Sequence, residues 1–292
     1  MTYKKIVLFG GSGLLGTRIL ELLSPTYTFI APTHEKVDLL IPEQITRYLA
    51  SVSCDLIIYA AGETNVDRAE RNQSRSLRLN YGVIEDIGRA LPNVPIVYFS
   101  TDAVFRGDRE NMPYTEKDTV DPCNYYGYTK AKGEEKVLSL SNKNLILRCI
   151  TLYASNYPKK SDFVRKTVSK LSKNEGVVGI IDQYANPTFV DDAIAVLDAA
   201  IAKKLQGIFH VGSTDCISNY SFIKKIATIF GADGRLIKPI SFADFFANTS
   251  AKRAQFSWLD TTKIRAVIGN NIIHTNEENM QIFYNQYRSL HD

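Results

Sequence analysis

The sequence predicts an α/β protein, a doubly wound parallel sheet with a smaller, mixed C-terminal lobe. Three observations carry this. Continuous apolar runs, among them Ile6-Val7-Leu8-Phe9 and Leu145-Ile146-Leu147, recur through the first half of the chain, and such runs mark strands buried on both faces. Helical stretches separate them, so strand and helix alternate, the pattern of a parallel sheet with right-handed crossovers. A glycine cluster, Gly10-Gly11-Ser12-Gly13-Leu14-Leu15-Gly16, sits where the first strand hands over to the first helix, as in Rossmann-type sheets.

The composition bounds the function. The chain has 292 residues, 45% hydrophobic and 23% charged, enough for one large domain or two smaller ones. Its net charge of +4 comes without a long run of lysine or arginine. A nucleic-acid binder concentrates its positive charge on one stripe, so that class is excluded, while a small anionic ligand suits the balance. Cys54, Cys123, Cys149 and Cys216 are scattered and read as reduced, mostly buried thiols of a cytoplasmic protein. No histidine neighbours them at ligand spacing, so no metal site is expected. Met1 to Lys5 lead directly into a strand with no signal peptide, and no apolar run is long enough to cross a bilayer.

Taken in order, strand 6–9 enters the glycine cluster and helix 17–23 follows. The glycines have Gly-x-x-Gly-x-x-Gly spacing. Gly10 permits a tight turn, Gly13 lets backbone N–H groups approach a pyrophosphate, and Gly16 lets the helix pack closely. The phosphate would then sit at the positive end of the helix. Residues 27–31 read as the second strand. No acid stands at its end to bind a ribose 2′-hydroxyl; Thr33, His34 and Lys36 stand nearby instead, which favours NADP(H) over NAD(H), with Glu35 pulling the other way. Residues 37–40 and helix 42–51 come next. Strand 55–62 ends in Ala60-Ala61-Gly62, small residues that leave room for a flat ligand. Residues 63–78 read as loop plus solvated helix, and 80–91 as a helix. Strand 95–102 carries hydroxyls at its tip, with Thr101 placed to bond a substrate carbonyl. Residues 106–122 read as an exposed loop. Helix 125–140 leads to 145–150, counted as the sixth strand.

Beyond that the pattern loosens into helices 163–173, 190–203 and 221–230, strands 177–181 and 207–212, and the aromatic stretch 242–246. Residues 1–150 are thus expected to form the dinucleotide-binding domain, with 177–212 returning to it. Residues 151–176 and 213–292 would form the substrate lobe.

The chemistry is expected from Tyr126 and Lys130. One helical turn apart, they share a helix face. An ammonium near a phenol pulls its pKa down from about 10 toward the working pH, and such a phenol can protonate a carbonyl or deprotonate an alcohol. The four histidines, His34, His210, His274 and His291, form no catalytic set. Trp258 reads as a packing residue, and Tyr284-Asn285-Gln286-Tyr287 suggests self-association, a homodimer.

In this order the motifs resemble the extended short-chain dehydrogenase/reductase superfamily, and within it the dTDP-4-dehydrorhamnose reductase branch. The likeness runs through Val37-Asp38-Leu39, 60–70, 100–105, 126–130, Leu145 to Arg148, Asp162 to Arg165, Asn186-Pro187-Thr188 and 259–264, nearly the whole chain. The resemblance implies a nucleotide-sugar substrate. Tyr126 would be the proton donor, Lys130 would hold the nicotinamide ribose, and Thr101 the substrate carbonyl. Gly10, Ser12, Gly13, Leu14 and Leu15 would line the pyrophosphate, Asp38 and Leu39 the adenine, and Ala60, Ala61, Gly62 and Thr64 the ribose side. Asp102, Ala103, Thr151 and Arg253 complete the expected substrate contacts.

Two departures stand by the sugar: Ala103 where the family often has tyrosine, and Thr151 where it often has tryptophan. A third is Arg253-Ala254 for the usual Arg-Pro. Arg253 is read as meeting a nucleotide phosphate or forming a surface ion pair. The alternatives are a non-catalytic NADP-binding regulatory subunit, resembling that of methionine adenosyltransferase, a nucleotide-sugar epimerase or reductase acting on a different sugar, and an epimerase or dehydratase with Asp102 as an added acid, a residue read here first as a loop cap. Retention of Thr101, Tyr126 and Lys130 favours the enzyme.

Overall fold

The computed structural model describes residues 3–291; the reading of Met1 and Thr2 as the lead into the first strand lies outside the described residues. The first half runs β1 (Lys5–Phe9), α1 (Leu14–Leu23), β2 (Thr28–Ile30), α2 (Pro42–Ala50), β3 (Leu56–Tyr59), α3 (Val66–Arg71), α4 (Gln73–Leu77), α5 (Val83–Ala90), β4 (Ile96–Thr101), α6 (Tyr125–Leu140) and β5 (Leu145–Cys149). The second half runs α7 (Phe163–Ser172), β6 (Val177–Ile180), β7 (Tyr184–Ala185), α8 (Val190–Lys203), β8 (Gly207–Val211), β9 (Ile217–Ser218), α9 (Asn219–Ile229), β10 (Ile237–Ile240), α10 (Phe242–Phe246), β11 (Phe256–Ser257), α11 (Thr262–Ile268) and α12 (Asn276–His291). Among the described residues no helix is long and apolar enough to cross a membrane.

The large sheet has six strands in the order β2-β1-β3-β4-β5-β8, every neighbouring pair parallel. Successive residues of a strand face opposite sides. Ile6 and Leu8 pack with Ile19 of α1 and Ile194 of α8, while Val7 and Phe9 pack with Ile45 of α2, Ile87 of α5 and Val137 of α6. This two-sided burial is why the strands read as unbroken apolar runs. The strand order reverses at β1, whose neighbours are β2 and β3, and ligands of open α/β sheets bind at the carboxyl ends of the strands beside such a switch point.

Several expectations need correction. The count that makes 145–150 the sixth strand takes in residues 37–40, which form no strand, because the Asp38 carboxylate accepts from the Leu40 N–H at 2.9 Å and the Asp38 N–H bonds the Gln44 side chain, so the backbone turns. Residues 145–149 are therefore the fifth strand, and the sixth place belongs to β8. Of the segment 177–212, β6 pairs with β10 in a separate two-stranded sheet, so only α8 and β8 return to the large one. The loop 106–122 is largely exposed, as read, and is pinned at one point: Tyr114 is buried, stacks on Phe105 at 4.4 Å, and exchanges backbone bonds with Trp258 and Asp260. Of the cysteines only Cys149 is fully buried.

A smaller lobe beyond β5 has a core of its own. Its core packs Tyr153 against Phe189, Phe222 and Phe283, under α7, α9 and α12. Tyr284 and Tyr287 lie 5.0 and 5.5 Å from Phe230, so the C-terminal aromatics pack within their own lobe.

Helix α6 is seated by three devices. The Asn124 side chain caps it by accepting from the Gly127 N–H at 2.9 Å. Gly127 allows close approach, since a Cβ there would come within 1.9 Å of the Ala103 carbonyl oxygen. Glu134, one turn beyond Lys130, is locked to Arg148 of β5 by two bonds of 2.8 and 2.6 Å, and both side chains are buried. Removing one partner of a buried pair leaves an uncompensated charge. Glu134→Gln is expected to lower stability by about 3–5 kcal/mol, read by urea denaturation; a loss below about 1 kcal/mol, the level of exposed pairs, would contradict the role given to this pair.

Candidate active site

Two cavities meet at the carboxyl edge of the large sheet. The first, a cleft of about 580 Å³, has the glycine loop along one side, contributed by Gly10, Ser12, Gly13, Leu14 and Leu15. Gly13 is the N-cap of α1 and offers no side-chain cap, so the first-turn N–H groups are left to a ligand or water. Gly16 does not line the cleft; a Cβ there would lie 2.1 Å from the Gly10 carbonyl oxygen, so its role is the close packing that shapes the loop. Ala60, Ala61, Gly62 and Thr64, following β3, form a second stretch of the wall, and Tyr126 and Lys130 a third.

The second cavity, about 320 Å³, is lined by Asp102, Ala103 and Arg253. Thr64, Thr101, Tyr126 and Thr151 line both cavities and so mark their junction. Thr151 has φ +41°, an unusual conformation for a β-branched residue and a site of backbone strain.

The junction is electrostatically tense. The Lys130 ammonium donates to the Phe99 carbonyl at 2.6 Å and lies 3.9 Å from the centre of the Tyr98 ring. Burial pushes its pKa down to about 7, against the opposing charge of Glu134. Burial likewise pushes the Tyr126 phenol up, with the Thr101 hydroxyl opposing and Asp102 adding to the rise. This corrects the expectation that Lys130 depresses Tyr126: the ammonium is committed to Phe99 and Tyr98, and desolvation dominates. The phenol is therefore protonated near neutrality, the form that can give a proton. Asp102 is pushed up to about 6, chiefly by burial. The Thr101 hydroxyl donates to Asp102 at 2.9 Å and accepts from the Ala103 N–H at 3.2 Å, so it must rotate off Asp102 to donate elsewhere.

Four expected cofactor residues, Thr33, His34, Asp38 and Leu39, do not line the cleft. The Thr33 carbonyl closes a turn with the N–H groups of Lys36 and Val37, the His34 side chain is 74% exposed, Asp38 is spent on its own turn, and Leu39 packs against the α2 side of the core. Arg253 lines the second cavity but is paired with Asp67 at 2.7 Å, and its guanidinium lies over the Phe246 ring. His210 is buried, bonded to the Tyr114 carbonyl and pushed down to about 3 by desolvation, which leaves it neutral.

Sequence reasoning missed Asn80, Tyr157 and Lys160 in the cleft, and Gln183, Tyr184 and Asn219 in the second cavity. Asn80 carried a signal, a polar residue on a buried helix face; its amide donates to Thr129 at 2.9 Å and to the Glu63 carbonyl at 3.3 Å. The others come from irregular chain, a short strand or, for Asn219, the first residue of α9, where no local pattern marks them.

The family described as RmlD substrate binding domain matches residues 4–288. A dTDP-4-dehydrorhamnose reductase of Aggregatibacter actinomycetemcomitans is 31% identical over 91% of this chain and 93% of its own. A probable low-salt glycan biosynthesis reductase of Haloferax volcanii is 28% identical over 89% of this chain and 91% of its own. The crystal structure of a Bacillus anthracis dTDP-4-dehydrorhamnose reductase in complex with NADP superposes with a TM-score of 0.89 at 28% identity, covering 98% of this chain and all of that one. The chain therefore belongs to the RmlD substrate binding domain family, in the dTDP-4-dehydrorhamnose reductase-like branch of the extended short-chain dehydrogenases/reductases.

Proposed function

We propose that this protein is an NADPH-dependent reductase of a nucleotide-linked 4-keto-6-deoxy sugar, of the dTDP-4-dehydrorhamnose reductase type. The observation that carries it is the meeting of a glycine-walled cleft and a second cavity at Thr101 and Tyr126. The cleft suits a dinucleotide: uncapped N–H groups at the start of α1 await an anion, and small residues follow β3. When bound, NADPH supplies a hydride. Gly10, Ser12, Gly13, Leu14 and Leu15 cradle the pyrophosphate, and Lys130 holds the ribose hydroxyls. Thr101 steadies the sugar carbonyl while Tyr126 gives its proton to the carbonyl oxygen. NADP(H) is favoured because no acid from the end of β2 lines the cleft, and the Bacillus anthracis relative was solved with NADP. The substrate lobe is built from residues 151–189 and 213–292.

A second reading concerns the sugar alone. Ala103 and Thr151 leave the second cavity without two bulky side chains, which favours a substrate other than dTDP-4-dehydrorhamnose. The Haloferax relative carries a glycan-biosynthesis name. Following NADPH and NADH oxidation with dTDP-4-dehydrorhamnose, then with UDP-, GDP- and CDP-linked keto sugars, separates the two.

Tyr126→Phe is expected to lower kcat by about 10²–10⁴-fold while NADPH affinity stays close to wild type; a variant that still turns over at the wild-type rate removes Tyr126 from the chemistry. The pH dependence follows from Lys130. Below about pH 7 it is an ammonium, and above that it loses its charge, while Tyr126 stays protonated throughout. The value of kcat/KM for NADPH, which reports the free enzyme, is expected to fall as pH rises through about 7. A profile that climbs or stays flat through the alkaline range would contradict this assignment.

A further inference from the structure

The glycine loop is not held by the large domain alone. The Tyr157 hydroxyl donates to the Ser12 carbonyl at 2.8 Å, reaching from the irregular segment 155–162 of the small lobe onto the loop. Arg165 shapes that segment: it donates to the Tyr157 carbonyl at 2.5 Å, the Lys160 carbonyl at 2.7 Å and the Asp162 carboxylate at 2.7 Å, and lies over the Tyr157 ring. At its root, Ser155 donates to Gln286 at 2.6 Å, Gln286 donates to Asp191 at 2.8 Å, and Asp191 receives two bonds of 2.7 Å from Arg18 of α1. The segment is thus tied both to the glycine loop and to the helix that follows it.

The charges lining the cleft are mostly committed. Glu63 is held by Arg68 and Asp162 by Arg165, and Lys130 donates to Phe99. Lys160 lines the same cleft as Gly13 and Leu14 at the start of α1, and among the described residues its ammonium has no carboxylate partner. A cation at this position and an anion at the helix terminus attract each other with little competition from nearby acids.

We propose that the segment 155–162 completes the dinucleotide site, with Lys160 meeting the pyrophosphate and Tyr157 holding the glycine loop in its receiving shape. This rests on the cofactor reading above. It also makes cofactor affinity depend on the substrate lobe, because the segment and Arg165 belong to that lobe.

The test is a titration of NADPH fluorescence on the full-length protein. Wild type would be compared with Lys160→Met, Lys160→Arg and Tyr157→Phe, each with its Tm. Lys160→Met is expected to raise Kd about tenfold, the size of one lost charge-assisted bond, and Lys160→Arg to restore it. The wild-type Kd should rise more steeply with added salt than that of Lys160→Met. Tyr157→Phe is expected to raise Kd about threefold to tenfold without a change in Tm. Lys160→Met and Tyr157→Phe both binding as tightly as wild type overturns the proposal and leaves the cofactor reading standing. A folded wild type that binds no NADPH overturns both, and the two failures are told apart by the wild-type titration alone.

Discussion

A buried ammonium governs this structure. Lys130 lies buried at the carboxyl edge of the large sheet, held by the Phe99 carbonyl and the face of Tyr98. Taking a charge out of water costs several kcal/mol unless the surroundings replace the lost hydration. The sheet supplies that replacement, and it does so only if α6 sits hard against β4 and β5. The Asn124 cap, the absent side chain at Gly127 and the Glu134–Arg148 pair each serve that seating. Once α6 is placed, Tyr126 falls at the junction of the two cavities without further provision.

The same burial sets the direction of the chemistry. A phenol pushed up and an ammonium pushed down make a pair that is protonated at the phenol and readily discharged at the lysine. Such a pair suits delivery of a proton to a carbonyl better than its removal from an alcohol. Asp102, pushed up to about 6 and bonded to Thr101, keeps the Thr101 hydroxyl oriented, at the cost of engaging the donor that a substrate carbonyl would need. The small lobe contributes Thr151 and part of the wall of the second cavity, so neither lobe holds a complete site.

Much of this was legible in the sequence where the signal is local. The glycine loop, the buried strands and the four-residue spacing of Tyr126 and Lys130 depend on chain neighbours, and each lies where its pattern implied. The readings that failed depend on distant partners. Residues 37–40 looked like a strand until the Asp38 side chain captured the backbone. The 177–180 strand is apolar enough for the large sheet, but its partner is 237–240, a choice made by tertiary pairing. The lowered pKa expected for Tyr126 came from its neighbour Lys130, whereas the structure shows a rise set by burial, which no spacing reveals. Tyr157 and Lys160 come from irregular chain and reach the glycine loop across the fold, so no periodicity could mark them.

The central claim is that hydride and proton meet at one carbonyl beside Thr101 and Tyr126. The most direct measurement incubates the protein with NADPH carrying deuterium at the transferable C4 position and with nucleotide-linked 4-keto sugars, dTDP-4-dehydrorhamnose first. The product sugar is then read by NMR. The account predicts deuterium on the sugar carbon that bore the ketone and its loss from the cofactor. Bound NADPH that keeps its label while every sugar in the set is recovered unchanged would contradict it.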